Sequence, residues 1–236
     1  QSLKEASIVT FRKFNQTYRI WEGSDVDIEE RIAEGERKIR QGLNLADSVR
    51  CYLHTRPLVA RRHSFETGAL RYFHIEYIDN LEDIHTHLTV SDADGKVLVC
   101  VAESPVVAEQ FRDRAIETNE RHDILFAIPQ FIGEFRSVVT ELGVLKWAWD
   151  NTPELRDDRV ARREMSLRIS EAEQILQRNI DGLLDPRDEP TGSGCLWIHN
   201  GEEILVHSPV DVSQLLSDVC DEIYEKTPKI RNELIA

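Results

Sequence analysis

Cysteines are few in this chain, and several glycine-containing sequence motifs are absent. Both features argue against several classes of functional site. There are four cysteines among 236 residues and no two have C-x-x-C spacing. This pattern argues against a disulfide framework or a zinc site and favours reduced thiols in a cytoplasmic protein. The phosphate-binding motif G-x-x-x-x-G-K-[ST], the dinucleotide motif G-x-G-x-x-G and the nucleophile motif G-x-S-x-G are absent. The chain therefore contains no complete catalytic motif of these kinds.

Charge and hydropathy limit the surfaces that the chain can bind. It has 29 basic and 43 acidic residues, which gives a formal net charge of −14. A negative field of this size opposes nonspecific binding to nucleic acid or anionic lipid, although it is compatible with a local basic patch. No apolar run approaches the ~18 residues that cross a membrane, and residues 1–14 lack the apolar core of a signal peptide. We expect a cytoplasmic protein without membrane contact.

Both ends of the chain have the character of internal sequence. Residue 1 is Gln rather than Met, and the sole methionine is Met165. Residues 229–236 form a polar–apolar run of the kind that opens a further structural element. We therefore expect the chain to be a section of a longer polypeptide, with part of the chemistry carried by the remainder.

The order of local signals predicts an α/β fold with a mixed sheet and flanking helices. Strands are predicted near 70–78, 88–92, 96–101 and 123–128. Asp94-Gly95 lies between the second and third of these runs and is typical of a hairpin turn. Ser104-Pro105 supplies a cap and a first-turn proline for a helix that links two parallel strands. Apolar residues recur every three or four positions over 157–184, which predicts a long helical arm with one apolar stripe.

Breaks in composition divide the chain into five expected segments. These are a β-hairpin at 1–22 that would be the wing of an upstream winged helix, a helical connector at 23–55, an α/β domain at 56–150, the long helical arm at 151–186, and a small C-terminal ββα unit at 187–236. The first hairpin is expected to turn at Asn15-Gln16. The last helix is expected to begin at Asp211, with Val210 packed against Leu215 as a hydrophobic staple.

The densest polar cluster lies between residues 56 and 71 and supplies the candidate binding residues. They are Arg56, Arg61, Arg62, His63 and Arg71. Arginine binds phosphate through paired hydrogen bonds, so the cluster is suited to a nucleotide in a neighbouring subunit or to a nucleic-acid backbone. Gly68 would allow a close backbone approach by adopting a positive φ. The competing interpretation, which the acidic composition favours, is that these cations pair with the protein's own carboxylates.

Histidine and carboxylate pairs elsewhere suggest weaker sites. His85 and His87 are separated by two positions, a spacing that points both rings the same way only on a strand. They lie at a predicted helix-to-strand boundary without a third ligand at fixed spacing, so a metal site is disfavoured. His199 and His207 are expected to face each other across a hairpin, where half-exposed polar positions are the simpler interpretation. A nuclease site at Asp94 is also disfavoured, because no Glu-x-Lys follows it.

Four longer runs carry a family resemblance. They are WEGSDVDIEE at Trp21–Glu30, RPLVARRHSFETGALRYF at Arg56–Phe73, LRDDRVARRE at Leu155–Glu164 and CDEIYEKTPKIRNELI at Cys220–Ile235. Together they resemble large multidomain prokaryotic P-loop ATPases of phage-defence islands, including the BREX-type ATPase subunit. The resemblance implies that this region follows an ATPase core and a winged helix and leads into a further C-terminal domain. It implies ATP and Mg in the parent protein but no cofactor in this chain, which lacks the phosphate-binding loop.

The expected function is therefore that of a non-catalytic coupling and regulatory section of a defence-type ATPase. Its partners would be other domains or subunits of the assembly, contacted through the 157–184 arm. Arg61, Arg62 and Arg71 would contact phosphate or an acidic partner face. The alternative is a nucleic-acid-binding module in which the first hairpin is a wing and the Arg56–Arg71 segment binds the phosphate backbone of the nucleic acid. A metal-dependent hydrolase that uses His85 and His87 is the least favoured.

Overall fold

The computed structural model describes residues 26–39, 42, 44–52, 56–118, 121–130, 132, 135–184 and 194–230, and the backbone alone of 9–12 and 17–20. The chain divides into two compact units. The first comprises Gln1–Leu43 and Glu134–Asn179, and the second comprises Asn44–Gly133 and Ile180–Ala236. These units differ from the five segments expected from the sequence, because each unit is assembled from two separate stretches of chain.

The secondary structure elements alternate along most of the chain. In order they are β1 (Val9–Arg12), β2 (Thr17–Ile20), α1 (Ile28–Ile39), α2 (Leu45–Tyr52), β3 (Leu58–Val59), α3 (Arg61–Thr67), β4 (Tyr72–Ile78), α4 (Ile84–His87), β5 (Gly95–Cys100), α5 (Pro105–Glu117), β6 (Ile124–Pro129), α6 (Phe135–Asp150), α7 (Arg159–Leu183), β7 (Cys195–His199), β8 (Glu202–Ile204) and α8 (Pro209–Ile223). Two short 3-10 helices cover Leu81–Asp83 and Pro153–Arg156. None of the described helices is long and apolar enough to cross a lipid bilayer.

The first unit contains a hairpin and a group of helices. β1 and β2 pair antiparallel with Val9 opposite Ile20, as predicted, and the predicted turn at Asn15-Gln16 lies outside the described residues. α1 packs against α6 at Gly35, where a Cβ would lie 2.9 Å from Cε3 of Trp147. Glycine at this position therefore permits the close approach of the two helices.

The apolar stripe predicted for the long helix is present on α7, and it is buried. Ala161 and Leu176 are fully inaccessible to solvent, and the Lys146 ammonium of α6 lies 2.8 Å from the Glu173 carboxylate of α7. The helix has 25 residues, Arg159–Leu183, and therefore lies within the predicted range 157–184 but is slightly shorter. Because the stripe is already covered by this chain, it does not offer an apolar surface to another protein.

A six-stranded mixed sheet forms the second unit, which confirms the predicted α/β class. The strand order is β3-β4-β5-β6-β7-β8, in which β4, β5 and β6 are parallel and the other pairs are antiparallel. α5 connects the parallel strands β5 and β6, as predicted from Ser104-Pro105. The Ser104 hydroxyl accepts a hydrogen bond from the Val107 amide at 3.3 Å, and Pro105 is the first residue of the helix.

Both faces of the sheet are buried, so its central strands are apolar on both sides. On one face Leu98 and Phe126 pack with Phe111 of α5 in a continuous apolar core. On the other face Tyr77, Val99, Ala127 and Trp197 lie in one row across four strands, as their register requires. Each member of this row is at most 1 % exposed. The sheet is therefore the rigid layer on which the candidate site is built.

Two predictions about this sheet are wrong. Residues 88–92, all of which are described, form no strand, and β5 pairs in parallel with β4. Asp94-Gly95 is therefore not a hairpin turn. The Asp94 carboxylate instead accepts a hydrogen bond from the Tyr72 amide at 2.9 Å, at the start of the β4–β5 pair. The C-terminal strands and helix are present in the predicted ββα order, but β7 pairs with β6 and extends the main sheet.

Details of the C-terminal hairpin and helix also differ from the predictions. Ser208 caps α8, which begins at Pro209 rather than at Asp211. Val210 is 74 % exposed and does not form the expected staple against Leu215. Across the hairpin His199 faces Glu202 rather than His207, because the tight Asn200-Gly201 turn leaves His207 beyond the end of β8.

Candidate functional site

The polar cluster at residues 56–71 is organised by α3, a helix that the sequence analysis did not predict. Gly68 ends the helix with a φ of 69°, and its amide donates to the Ser64 carbonyl at 2.9 Å. The chain then reverses, so the Arg71 amide donates to the Ser64 hydroxyl at 2.9 Å. The Arg71 carbonyl accepts the Ala60 amide at 3.0 Å. This reversal places Arg71 beside the helix that carries the other candidate residues.

Arg62 is surrounded by three carboxylates of its own chain. Its guanidinium lies 2.5 Å from Asp221 and 2.9 Å from Asp218, both on α8. A third contact of 3.3 Å reaches Glu66, one turn further along α3. Burial acts to lower the pKa of Arg62, but the hydrogen bond to Asp221 and the three negative charges outweigh it and raise that pKa. A phosphate could reach this guanidinium only by displacing carboxylates that already hold it.

His63 is directed into the protein. Its ring is 2 % exposed, and Nδ1 lies 2.9 Å from Oδ1 of Asp221. Nε2 is buried and has no hydrogen-bond partner among the residues that the structure describes. Burial acts to raise the pKa of Asp221, but hydrogen bonds from Arg62 and His63 and their charges lower it. His63 therefore helps to hold α3 against α8 rather than presenting a ligand at the surface.

Arg71 is held between a carboxylate and an aromatic ring. Its guanidinium donates to Asp94 at 2.8 Å, and its Cζ lies 3.7 Å from the centre of the Tyr224 ring, which is a cation–π geometry. The Tyr224 hydroxyl donates to the same Asp94 oxygen at 2.7 Å. The pKa of Tyr224 is raised, mainly by burial of its hydroxyl and secondly by the hydrogen bond to Asp94. These contacts join the starts of β4 and β5 to the end of α8.

We call this network the α3–α8 cluster. It consists of Arg62, His63, Glu66, Arg71, Asp94, Asp218, Asp221, Tyr224 and Lys229. The sequence analysis identified three of its cations as candidate site residues but did not identify the carboxylates that pair with them. A signal was present, because Asp218 and Asp221 are three residues apart and therefore share one face of a helix. However, no local feature of the sequence indicates that this face of α8 packs against α3.

Glu66 also holds the segment that follows α8. Its carboxylate lies 2.7 Å from the Lys229 ammonium, and its backbone carbonyl accepts the Ile230 amide at 2.6 Å. The Ile230 side chain rests on Gly68, where a Cβ would overlap it. The hydrogen bond from Lys229 is the main cause that lowers the pKa of Glu66. We call this arrangement the Glu66 clamp.

The remaining two candidate arginines are on the surface. Arg56 and Arg61 are exposed, and within the described ranges neither has an ion-pair partner. Arg61 lies on the outward face of α3 together with Phe65, which is 70 % exposed. The predicted group of five residues is therefore divided, since Arg62, His63 and Arg71 are engaged inside the cluster and Arg56 and Arg61 are not.

The α3–α8 cluster lies at the amino ends of the parallel strands. Arg71 precedes β4 and Asp94 precedes β5. Ligands of open α/β sheets bind at the carboxyl ends, where the strand order reverses, and the order β4-β5-β6 has no reversal. At the carboxyl end of β4 the Asp79 carboxylate accepts the Leu45 amide at 2.9 Å. That carboxylate caps α2.

The two weak metal candidates point to different partners. Nε2 of His85 lies 3.0 Å from the Arg114 guanidinium, which can only donate, so this nitrogen accepts. Nδ1 of His87 lies 2.7 Å from Glu76. The Lys96 ammonium lies 2.7 Å from the other Glu76 oxygen and helps to lower the pKa of that carboxyl against the effect of its burial. Within the part of the chain that the structure describes, no three His, Cys, Asp or Glu side chains form a metal-binding group.

The cysteines do not supply an activated nucleophile in the cluster. None of the four cysteines, all of which are described, forms a disulfide bond; Cys100, Cys195 and Cys220 are buried and Cys51 is exposed. The pKa of the Cys220 thiol is raised to about 12, mainly by burial and secondly by the negative charge of Asp94. A thiol with so high a pKa is protonated near neutral pH and is a poor nucleophile.

Comparison with known proteins adds no further assignment to this geometry. The chain matches no family model, no curated protein and no solved structure. The resemblance to defence-type ATPases therefore stays a prediction from the sequence.

Proposed function

We propose that this chain is a non-catalytic coupling and regulatory section of a multidomain ATPase of the phage-defence type. It would relay conformational change between other domains or subunits of that assembly. ATP and Mg would be bound by the parent protein outside this chain. The support from the sequence is the resemblance of four runs to such ATPases.

The observation that carries the proposal is the Glu66 clamp. One residue joins α3 to the segment after α8, through Lys229 and the Ile230 amide, while Arg62 joins the same helix to Asp218 and Asp221. A displacement of the chain beyond α8 is thereby transmitted to α3. The Arg71 amide donates to the Ser64 hydroxyl of α3, and the Arg71 guanidinium pairs with Asp94, so α3 is also connected to the starts of two central strands. This is a mechanical connection between a chain segment and a rigid sheet, which a coupling section requires.

The long helix has a smaller part in this proposal than the sequence suggested. The stripe of α7 is buried in the chain itself, so the route to a partner passes instead through α3 and the end of α8. Two of the four arginines between residues 56 and 71, Arg62 and Arg71, are neutralised by carboxylates of this chain, which favours protein contacts over phosphate binding.

The test is to uncouple the clamp in the full-length natural polypeptide that carries this chain. Glu66→Gln removes the charge that holds Lys229, and Glu117→Gln on α5 is a matched control that removes an exposed pair with Arg114. We expect Glu66→Gln to retain ATP hydrolysis but to lose the nucleotide-dependent change in hydrogen exchange over residues 209–230. The control should behave like the wild type.

Two results would overturn the proposal. The first is an intact mass near 27.2 kDa for the natural polypeptide, since this chain would then have no ATPase to couple. The second is ATP hydrolysis by the 236-residue chain alone that persists after stringent purification. If the parent protein hydrolyses ATP and the Glu66→Gln variant keeps the nucleotide-dependent change in hydrogen exchange of the wild type, the Glu66 clamp has no part in the coupling.

A further inference from the structure

We propose that the outward side of α7, at its amino-terminal end, is a docking surface for an acidic helix of a separate partner subunit. The surface consists of Arg156, Arg159, Arg162 and Arg163, all in the first unit, and we call it the arginine face. This inference rests on the proposed function, because it names the chemistry of one partner. The contact is polar, and it is separate both from the connection through α3 and from the apolar stripe of α7, which the chain itself covers.

The four arginines lie together on the solvent side of the helix. Arg159, Arg162 and Arg163 are three and four residues apart on α7 and therefore share one face. At 3.6 residues per turn this face is opposite the buried stripe that includes Ala161. Arg156 ends the short helix before α7, and its carbonyl accepts a hydrogen bond from the Arg162 guanidinium at 3.5 Å. All four arginines are exposed.

These cations are unpaired although the chain has 43 acidic and only 29 basic residues. None of the four has an ion-pair partner among the residues that the structure describes. Three nearby carboxylates are engaged elsewhere, since Glu154 pairs with Arg31 at 3.6 Å and Glu164 pairs with Arg168 at 3.2 Å. The Asp158 carboxylate accepts a backbone amide in the first turn of α7 at 2.8 Å. The arginine face is therefore a local positive patch that can attract an anion from outside the chain.

The surroundings of the arginine face indicate recognition by charge. The large exposed apolar side chains of the described residues lie outside α7, and the positions that continue the face, Ser166 and Ser170, are exposed hydroxyls. Arginine pairs with carboxylates through parallel hydrogen bonds. Asp or Glu residues three and four positions apart on a helix are about 5–6 Å apart, which is also the spacing of the arginines. An acidic helix can therefore pair with several of these arginines at once.

Other anions fit the arginine face less well. The face extends for about 10 Å along the chain, whereas duplex nucleic acid carries one charge per about 1.7 Å over its whole length. Its other phosphates would lie against a chain with a net charge of −14, including the exposed carboxylate of Asp157. A second copy of the chain offers carboxylates on α5, but Glu109 and Glu117 are already paired with Arg112 and Arg114. A short acidic helix can end where the face ends.

The experiment measures the binding of a synthetic helix to the purified full-length natural polypeptide. The probe is an alanine-based peptide of about 18 residues, long enough to form a helix in water, with four Glu at three- and four-residue spacing on one face. The control peptide has the same composition, with its Glu distributed around the helix. At about 0.1 M salt the net charge of the chain is screened beyond about 10 Å, so the fluorescence anisotropy of labelled peptide reports close contacts. We expect the one-face peptide to bind severalfold more tightly than the control.

Two variants of the polypeptide test where the peptide binds. Arg162→Glu with Arg163→Glu reverses half of the arginine face, and Arg56→Glu with Arg61→Glu reverses two exposed arginines elsewhere. Both variants change the net charge equally, so an effect of the overall field would be the same in each. Glutamate is favourable near the amino end of a helix, so the first variant should fold. We expect it to weaken binding of the one-face peptide about tenfold, and the second variant to bind like the wild type.

Four results would contradict this inference. They are no binding of the one-face peptide, equal binding of the two peptides, equal losses in the two variants, and tighter binding of a duplex oligonucleotide that the first variant loses. Binding of the one-face peptide by a natural polypeptide without an ATPase domain would support the arginine face and contradict the proposed function. An effect of Glu66→Gln on the parent ATPase without peptide binding would do the reverse.

Discussion

Asp94 and Tyr224 are 130 residues apart in sequence, and the Tyr224 hydroxyl donates to the Asp94 carboxylate at 2.7 Å. The same carboxylate accepts from the Arg71 guanidinium at 2.8 Å and from the Tyr72 amide at 2.9 Å. Its side chain is only 9 % exposed. One carboxylate therefore ties the loop before β5 to the start of β4 and to the end of α8.

Removing Asp94 should destabilise the protein far more than removing the Tyr224 hydroxyl. Asp94→Ala leaves the Arg71 guanidinium without its carboxylate, and breaking a partly buried pair of this kind costs about 3–5 kcal/mol. Tyr224→Phe loses one hydrogen bond, which costs about 1 kcal/mol. Urea unfolding of both variants measures the two changes. Equal effects would show that Asp94 acts only through Tyr224.

The stability of the α3–α8 cluster should fall in acid through Asp221. Its pKa is lowered in the folded protein, so its contribution is complete above the unfolded pKa of about 4 and is lost as the pH falls through the folded pKa. Solvent screens the effect, because this side chain is 38 % exposed. Asp221→Asn should therefore show a shallower loss of unfolding free energy between about pH 5 and pH 2 than the wild type. Parallel curves for the two proteins would contradict this assignment.

The local elements of the fold were largely predictable, and the pairing of its strands was not. The helix at 105–117 carries its own start signal in Ser104-Pro105, and the strand near 123–128 is marked by a short apolar run that ends at Pro129. Asp94-Gly95 was misleading because the sequence of a hairpin turn is also compatible with an Asp whose carboxylate binds a distant amide. That contact depends on the neighbouring strand, which periodicity does not reveal.

The candidate site was predictable only in part for the same reason. The cations at 61, 62 and 71 are obvious from their density, but the sequence does not show that α3 makes Arg62 face inward and Arg61 face outward. Once α3 is recognised as a helix, the spacing of Arg61, Phe65 and Gly68 identifies its outward face. The carboxylates of α8 lie 156 and 159 residues further along the chain, and only the tertiary fold brings them to Arg62.

Adding metal should not stabilise this protein. His85 already accepts from Arg114, and His87 already contacts Glu76, so ligation would displace both contacts beside a guanidinium that repels divalent ions. We expect Tm to be unchanged when zinc or manganese is added to a metal-free preparation. An increase in Tm that is lost in His85→Ala and in His87→Ala would restore the metal-site hypothesis.

The nucleic-acid alternative predicts a different response to salt. Binding through several phosphates weakens steeply as the salt concentration rises from about 50 to 200 mM. Because Arg62 and Arg71 are engaged internally, we expect no measurable binding to duplex or single-stranded DNA even at low salt. Salt-sensitive binding that is abolished by Arg56→Ala and Arg61→Ala together would contradict this expectation and favour the alternative.

Gly95 should be among the positions of the sheet that are least tolerant of substitution. A Cβ there would lie 2.5 Å from Cδ1 of Phe73 and 2.7 Å from the Asp123 carbonyl oxygen. Neither neighbour can move easily, because Phe73 is fully buried and the Asp123 oxygen accepts the Lys96 amide at 2.9 Å. Gly95→Ala should therefore lower the free energy of unfolding by about 2–3 kcal/mol.

Gly42 supplies the matched control for this substitution. Apart from Gly42 and its two chain neighbours, no heavy atom of the described residues lies within 4 Å of the position that its Cβ would occupy, so Gly42→Ala should change the free energy of unfolding by no more than about 0.5 kcal/mol. Both variants remove one glycine from the unfolded chain, so the comparison cancels that entropic effect. A Gly95→Ala protein as stable as Gly42→Ala would mean that β4 and β5 separate to admit the methyl group. The Asp94 contacts at the same edge would then be too loose to couple α8 to the sheet.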